Sequence, residues 1–343
     1  MSPTEYKMAE PVEAIGQPAN DRNDILEVDS RATENDSLYG SELSNYTASL
    51  TSSVVNYRQE NGRRYHGYRD GNYLLPNDEQ ESERLDMIHH MLLTAMEGKL
   101  FLAPISSGVK KVIDLGTGTG IWAIDFGEKY PSAEVIGNDL SPTQPSLVPP
   151  NVRFIVEDFE EEWVYQPNYF DFIHARWLAG STKDYLKLIK QCYKHLAPGG
   201  WVELQDWNPK PYSTDGSLKG TALEKYYDEV INAFTKTGYA VNVGPFLEQW
   251  LREAGFEDIV VKKFLVPIGT WPKDKYYKKI GTWTLLQFDS GGFEAGAMAV
   301  LTRFSGWTEE QVKDLSAKAR SDMRNRNVHG MFDFYAVYGR KPE

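Results

Sequence analysis

Three closely spaced glycines and two later acids mark the part of the chain best suited to chemistry. Gly116, Gly118 and Gly120 follow one apolar run, and Asp139 and Asp158 each follow another. Glycine allows a backbone to approach a ligand closely, and a helix that starts there directs amides at an anion. In an open α/β sheet, ligands bind beyond the carboxyl ends of the strands. We therefore expect a nucleotide-like ligand at these residues.

The spacing of the glycines separates the possible ligands. A dinucleotide fingerprint has glycines at i, i+2 and i+5, but Ile121 occupies that last position here. A triphosphate loop ends in Gly-Lys-Ser/Thr, which is absent from this cluster. Asp139 is placed for ribose hydroxyls, and Asp158 with Phe159 for the amine and face of an adenine. With a small anionic group, these parts describe S-adenosylmethionine; a purely structural tight turn is the alternative.

Strands and helices must alternate to position these residues. The apolar runs and breakers predict strands over 111–115, 134–139, 152–156, 170–175, 201–205, 258–264 and 332–342. They predict helices over 122–129, 182–196 and 245–254, and another that Asn77 or Asp78 caps and that ends near Gly98. This alternation indicates an α/β fold with a doubly wound sheet.

Several motifs resemble the class I S-adenosylmethionine-dependent methyltransferases, specifically their fungal LaeA-like branch. They are "DLGTGTGIWAIDFGEKYPSAEVIGNDLSP", "PPNVRFIVEDFEEEW", "FDFIHARWLAGSTKDY", "YKHLAPGGWVELQDW" and "YHGYRDGNYLLPNDEQESERLDMIHHM". The resemblance covers residues 57–207 strongly and 208–343 loosely. It implies a seven-strand sheet with the last strand antiparallel and S-adenosylmethionine in the cleft. Members are regulators of secondary metabolism or tailoring enzymes. Leu147 stands where the branch has a tryptophan, which affects the local adenosine wall.

The cofactor residues follow from these motifs and from the segment before the capped helix. That segment resembles a lid over the methionine end of the cofactor, although its aromatic residues can equally pack the helix onto the sheet. The predicted cofactor contacts are Tyr65, Arg69, Tyr73, Gly116, Thr117, Gly118, Asp139, Leu140, Asp158, Phe159 and Ala175.

Candidates for acting on the acceptor lie at the ends of two strands. Methyl transfer depends mainly on alignment, and a base is needed only when the acceptor must lose a proton. Arg176 is a candidate clamp for an acidic substrate, or else an ion-pair partner of Asp171 or Asp184. Asp206 is the candidate base. His174 is a weaker candidate, because a histidine inside a strand is more often part of the core.

Two long aromatic-rich stretches, at about 206–240 and 267–328, interrupt the later elements. Insertions at the carboxyl edge of such a sheet usually form a cap over the site, and aromatic linings suit flat, apolar molecules. We expect Trp177, Trp207 and Trp283 to border an acceptor pocket. Many of the remaining aromatic residues in these stretches must be ordinary core.

Composition limits the other functions. The net charge is −12, and residues 1–50 account for −7 of it, with ten acidic residues against three basic ones. This balance argues against nucleic acids and anionic membranes as partners. Cys192 is the single cysteine, so no disulfide and no thiolate metal cluster is expected. The absence of a long apolar run or secretory signal predicts a cytoplasmic protein.

Three segments follow from these patterns. We expect a disordered acidic tail over 1–40, a helical lid segment over 41–100, and a methyltransferase domain over 101–343. The leading function is methyl transfer to a small, aromatic or apolar natural-product-type molecule. The alternative is a LaeA-like regulator that acts through protein partners or protein methylation, in which case the nucleus is the expected compartment.

Overall fold

The computed structural model describes residues 57–69, 71 and 73–343. Its strands are β1 (Arg58–Glu60), β2 (Arg63–Tyr65), β3 (Lys111–Leu115), β4 (Glu134–Asp139), β5 (Val152–Val156), β6 (Phe170–Arg176), β7 (Leu196–Trp207), β8 (Glu257–Pro267) and β9 (Met331–Arg340). Its α-helices are α1 (Glu79–Ala95), α2 (Ile121–Lys129), α3 (Tyr185–His195), α4 (Ala222–Thr237), α5 (Leu247–Ala254), α6 (Lys275–Gln287), α7 (Phe293–Ser305) and α8 (Glu309–Arg324). The predicted tail over 1–40 lies outside the described residues.

Seven of the strands form one sheet in the order β5-β4-β3-β6-β7-β9-β8. Strands β3 to β7 pair in parallel, and β9 runs antiparallel to both β7 and β8. The predicted seven-strand sheet with an antiparallel last strand is confirmed. The chain proceeds from β3 toward one edge and then crosses to β6 on the other side of β3. Ligands bind at such a reversal in open α/β sheets.

The central strands are apolar because both faces of the sheet are covered. Val112, Ile113 and Leu115 in β3 and Phe170 and Phe172 in β6 are fully buried. Parallel strands that helices cover on both faces have such continuous apolar runs. The predicted strand 201–205 is too short, because β7 begins at Leu196 and includes the Pro-Gly-Gly turn with a register shift opposite Phe170.

The helix before the sheet begins where its sequence predicts. The side chain of Asp78 accepts the backbone N–H of Glu81 at 3.0 Å, and thereby caps α1. The same carboxylate accepts two hydrogen bonds from Arg63 of β2, at 2.6 and 2.8 Å. The hairpin of β1 and β2 is therefore fastened to the start of α1. This hairpin lies within the predicted helical lid segment over 41–100, of which residues 41–56 lie outside the described residues.

The two late aromatic-rich stretches contain α4 and α6–α8. Helices α4, α7 and α8 pack on one another, and α6 packs along α1. They bury one core together with side chains from α1, β8 and β9. A π-helical turn at Phe288–Gly292 joins α6 to α7, with Gly291 at a positive φ of 94°. Across the described residues, no helix is both long and apolar enough to cross a membrane.

Candidate active site

A cavity lies at the carboxyl ends of β3, β4 and β6, where the strand order reverses. It has a volume of about 1170 Å³ with its opening included. Helix α1 contributes side chains on one side, and the loop after β5 contributes them on the other. Eight of the residues predicted to bind the cofactor line it: Tyr73, Gly116, Thr117, Gly118, Asp139, Leu140, Asp158 and Phe159.

The glycine turn forms the floor of this cavity. Gly116 and Gly118 have positive φ angles of 61° and 58°, a region that side chains disfavour. A Cβ atom at Gly116 would lie 2.6 Å from Leu178 Cδ2. The amide of Gly116 donates to Asn138 Oδ1 at 3.1 Å, and that of Gly118 donates to Asp139 Oδ2 at 2.9 Å. The turn is therefore fixed against the end of β4.

Asp139 presents its carboxylate to the cavity with acceptor capacity left over. Its Oδ1 accepts the amide of Ser141 at 2.9 Å, and its Oδ2 accepts the amide of Gly118. The amide of Leu140 also acts on this carboxylate, and because each oxygen accepts about two hydrogen bonds, the group keeps acceptor capacity for a ligand. Burial raises the pKa of Asp139 to about 6. This geometry suits two neighbouring hydroxyl groups, such as those of a ribose.

Asp158 and Phe159 form a second end of the cavity. Asp158 Oδ1 accepts the amide of Glu160 at 3.0 Å. Arg69 lies over this end, with its Nε 3.5 Å from Asp158 Oδ2 and its Nη1 2.8 Å from Glu161 Oε1. Arg69 does not line the cavity itself. The prediction that it covers the methionine end is therefore corrected, because its guanidinium pairs with acids at the opposite, Asp158 end.

Arg176 lies at the end of β6 and also lines the cavity. Its Nη2 donates to Nδ1 of His89 at 2.8 Å, and the other ring nitrogen of His89 donates to Asp125 Oδ2 at 2.9 Å. Burial lowers the pKa of His89 to about 4, so the ring is neutral and can accept. The predicted ion pairs do not form, because Asp171 accepts backbone amides and Asp184 caps α3.

The second terminal nitrogen of the Arg176 guanidinium, Nη1, indicates whether the cavity fits a negatively charged ligand. Nη1 is buried and has no hydrogen-bond partner among residues 57–69, 71 and 73–343. A buried donor without a partner costs about 1–3 kcal/mol, more when charged, and a ligand carboxylate would remove that cost. The nearby start of α2 also has no side-chain cap at Gly120. A carboxylate here, with hydroxyls at Asp139, fits the amino-acid and ribose parts of S-adenosylmethionine.

A second cavity adjoins the first at Trp177. Trp177 lines both cavities, stacks on Trp207 with ring centroids 4.7 Å apart, and has a positive φ of 63°. Its amide donates to the carbonyl of Gln205 at 2.9 Å, which holds this unusual backbone in place. The second cavity has a volume of about 980 Å³ with its opening included. Most of its walls are apolar side chains from α1, α4 and the start of β9, whereas α6 contributes Thr284 and Gln287.

Comparisons with known proteins agree with this arrangement. Residues 87–261 match the methyltransferase-domain family. The chain belongs to this methyltransferase family. Over 296 residues it is 45% identical to methyltransferase pytC of Aspergillus terreus, with 86% of this chain and 91% of that protein covered. It is 37% identical to the secondary metabolism regulator LAE1 of Cochliobolus heterostrophus, with 83% and 94% covered. S-adenosylmethionine is thus the methyl donor.

Solved structures resemble this methyltransferase only distantly. Phosphoethanolamine N-methyltransferase 2 of Haemonchus contortus, in complex with S-adenosyl-L-methionine, is 18% identical with a TM-score of 0.44. The alignment covers 80% of this chain, and the chain spans about half of that enzyme's length, 55%.

Two of the predicted catalytic residues of the methyltransferase line neither cavity. Asp206 Oδ2 accepts the amides of Leu178 and Ala179 and the hydroxyl of Tyr185, at 2.7–3.0 Å. Its Oδ1 accepts the amide of Trp207 at 2.9 Å. The proposed base is therefore corrected to a positioning group, because its carboxylate fixes the loop that carries Leu178.

His174 is likewise corrected to a core residue. Its ring is fully buried, hydrogen-bonded to Asp114 at 2.7 Å and stacked on Trp122 with centroids 3.7 Å apart. Burial lowers the pKa of His174. The more ordinary interpretation of a histidine inside a strand is therefore the correct one.

Four other assignments change with the structure. Tyr65 packs its ring beneath the guanidinium of Arg303, and Ala175 is buried within β6, so neither side chain lines the cofactor cavity. Trp283 stacks on His90 in an outer groove between α1 and α6, because its direction on α6 differs from that of Thr284 and Gln287. Leu147 is 67% exposed, so the departure from the branch pattern alters no cavity wall.

Sequence reasoning missed a buried polar group between the two cavities. Glu81 lines the first cavity and Arg84 the second, and they pair at 2.8 and 2.5 Å. Nη1 of Arg84 donates to Oε1 of Gln287 at 3.0 Å. A signal existed, because Glu81 and Arg84 lie on the stripe of α1 that continues through Ile88 and Leu92. A charged pair at i and i+3 on an apolar stripe indicates that the pair is buried and has a functional role.

Proposed function

We propose that this methyltransferase modifies a small, apolar and largely aromatic molecule of the natural-product type, in the cytoplasm. The second cavity carries the proposal, because a concave and largely apolar space beside the cofactor cavity is what such a molecule needs. S-adenosylmethionine supplies the electrophilic methyl group when it is bound. The similarity to methyltransferase pytC supports an enzymatic role.

The residues of the first cavity have separable roles in this proposal. Asp139 binds the ribose hydroxyls, and Asp158 with Phe159 holds the adenine. Arg176 binds the carboxylate of the amino-acid part, with its guanidinium oriented by His89. These contacts fix where the methyl group points, and alignment of this kind can contribute several kcal/mol to catalysis.

Trp177 separates the acceptor cavity from the cofactor cavity, and Trp207 forms part of the acceptor cavity wall. Trp207 also contacts Phe332 with ring centroids 5.0 Å apart, and Tyr227 at 6.5 Å. These rings exclude water from the space beside the cofactor, which strengthens electrostatic interactions there and prevents loss of the methyl group to solvent. Their flat faces suit an aromatic acceptor.

A regulatory role is the second candidate, because the chain is also 37% identical to a secondary metabolism regulator. In that case the acceptor would be a protein side chain or the chain would act through a protein partner. The apolar cavity favours the small-molecule role, since a protein acceptor requires an open face.

Replacement of two tryptophans tests the proposal. Trp207→Ala should weaken binding of a flat apolar probe, 2-isopropenylnaphthalene, about tenfold, because it removes one wall of the cavity. Binding of S-adenosylhomocysteine should change less than about twofold. Trp283→Ala is the matched control, since Trp283 lies in the outer groove, and it should leave both affinities unchanged. Equilibrium dialysis measures both.

Two outcomes would contradict the small-molecule role. If wild-type protein fails to bind the probe, the cavity is not an acceptor pocket and the regulatory role is favoured. If Trp207→Ala weakens both ligands equally, Trp207 is structural core.

A further inference from the structure

One wall of the acceptor cavity contains a small polar cluster in otherwise apolar surroundings. We define the donor cluster as Arg84 of α1, Tyr227 of α4 and Gln287 of α6, all of which line this cavity. Arg84, Tyr227 and Gln287 are 6%, 3% and 4% exposed. Buried polar groups are normally hydrogen-bonded. The hydrogen-bond partners of each group therefore show which donors of the cluster remain unsatisfied.

Arg84 already donates to the carboxylate and amide oxygens in and beside the cluster, whereas the hydroxyl oxygen of Tyr227 keeps its acceptor capacity. Both carboxylate oxygens of Glu81 receive hydrogen bonds from Arg84, and Oε1 of Gln287 receives one from Nη1 of Arg84. Arg84 has five N–H groups, and three of them make these bonds. The Glu81 carboxylate also balances the charge of Arg84. The pair therefore presents N–H groups to the cavity without a net charge.

The donors of the cluster have capacity left over. Within the part of the chain that the structure describes, the hydroxyl of Tyr227 is buried and has no hydrogen-bond partner. Among the described residues, the amide nitrogen of Gln287 has no partner either, since its one hydrogen bond uses Oε1. Burial keeps the pKa of Tyr227 well above its usual range, so it remains a neutral O–H. The ring of Tyr227 lies 6.4 Å from that of Phe288, the residue that follows Gln287, so these groups lie in one region.

We infer that the acceptor molecule carries a carbonyl oxygen that binds to the donor cluster. A carbonyl oxygen has two lone pairs and no proton, so it matches an amide N–H from Gln287 and the hydroxyl of Tyr227. A carboxylate matches less well, because Glu81 already neutralises Arg84 and a further buried negative charge would have no cation to itself. A plain hydrocarbon would leave the donors unsatisfied.

This inference rests on the proposed acceptor cavity and narrows the substrate to apolar ketones, esters or amides. A site that is built to hydrogen-bond one group discriminates strongly against analogues that lack it, since its own polar groups are then left unpaired. Apolar walls provide general affinity, whereas the donor cluster orients the molecule against Trp177.

A pair of probes with the same shape tests the inference. 2-Acetylnaphthalene and 2-isopropenylnaphthalene differ by exchange of C=O for C=CH2, and their binding is measured by equilibrium dialysis with saturating S-adenosylhomocysteine. Wild-type protein should prefer the ketone by about tenfold. Tyr227→Phe and Gln287→Met should each reduce the preference by about threefold, and together they should abolish it. Binding of the hydrocarbon should be retained.

Tyr65→Phe is the matched control, because the hydroxyl of Tyr65 is buried, has no partner in the described part of the chain, and lies outside both cavities. It should leave the ketone preference unchanged. If Gln287→Met unfolds, Tyr227→Phe alone still decides the test. Equal binding of both probes by wild-type protein would overturn the inference and leave the apolar pocket intact. Failure of both probes to bind would overturn the proposed pocket itself and the inference with it.

Discussion

The two cavities are constructed in different ways, although they share Trp177. The cofactor cavity is formed by turns at the ends of strands, where backbone amides and carboxylates lie at fixed spacings. The acceptor cavity is formed by helices α1, α4 and α6, where apolar side chains from distant parts of the sequence meet. A cofactor that many enzymes share is bound by a local pattern, whereas an acceptor is bound by packing.

The largest expected effect is the loss of cofactor affinity when Asp139 is replaced, with no change at the acceptor cavity. Asp139→Ala removes two charge-assisted hydrogen bonds to ribose hydroxyls, which together contribute about 3 kcal/mol, or roughly a hundredfold in affinity. Calorimetry with S-adenosylhomocysteine measures the loss. The affinity for 2-isopropenylnaphthalene should stay the same, because Asp139 does not line the acceptor cavity.

Asp258→Ala is a suitable control for that experiment. The carboxylate of Asp258 lies 2.7 Å from Arg340 at the surface. Asp258 is far from the cofactor cavity, because it lies on the edge strand β8. A loss of less than threefold in Asp139→Ala would show that Asp139 serves only to fix the glycine turn.

Arg176 divides the cofactor cavity itself into two parts. Arg176→Met should weaken S-adenosylhomocysteine by about thirtyfold, because the carboxylate loses a charged partner. The affinity for 5′-methylthioadenosine, which lacks the amino-acid part, should change less than about twofold. Calorimetry with both ligands gives the ratio. Equal losses for the two ligands would show that Arg176 supports the fold and does not contact the carboxylate.

The pH dependence of S-adenosylhomocysteine binding should report the raised pKa of the buried Asp139 carboxyl. Its pKa is raised to about 6 in the folded protein, so it is largely protonated at pH 5 and ionised at pH 7. Ribose hydroxyls bind best to the ionised carboxylate, and affinity for S-adenosylhomocysteine should therefore be about tenfold weaker at pH 5 than at pH 7.

Stability of the ligand-free protein should respond to Asp139 in the opposite direction. Because the pKa of Asp139 is higher in the folded than in the unfolded protein, its contribution to stability is complete below its unfolded pKa and is lost as pH rises through about 6.

Asp139→Asn should flatten the dependence of S-adenosylhomocysteine affinity on pH. A profile that stays tenfold steep in Asp139→Asn would assign the titration to another group.

The sequence predicts the sheet and the cofactor turn well, for a local reason. Gly116, Gly118 and Asp139 are close along the chain or lie at strand ends, so their positions follow from element order alone. The predicted role of Asp206 as a base is wrong for the same reason. Its position at a strand end is visible in the sequence, but the hydrogen bonds it accepts from three backbone amides and the Tyr185 hydroxyl are not.

The acceptor side depends on information that periodicity does not contain. Trp207 and Trp283 are equally aromatic and both lie in late stretches, yet one lines the cavity and the other an outer groove. Which one faces the cavity depends on how α6 is rotated against α1. Similarly, the pairing of Arg84 with Gln287 joins residues that are 203 positions apart, a contact that arises only from tertiary packing.

The left-handed backbone at Trp177 has a consequence for altering substrate scope. A non-glycine residue in that region carries about 1–3 kcal/mol of strain, and any other side chain placed there would carry a similar burden without the stacking on Trp207 that compensates it. Glycine would relieve the strain but join the two cavities into one. Attempts to accommodate larger acceptors should therefore vary Trp207, whose backbone lies in an ordinary strand, and leave Trp177 intact.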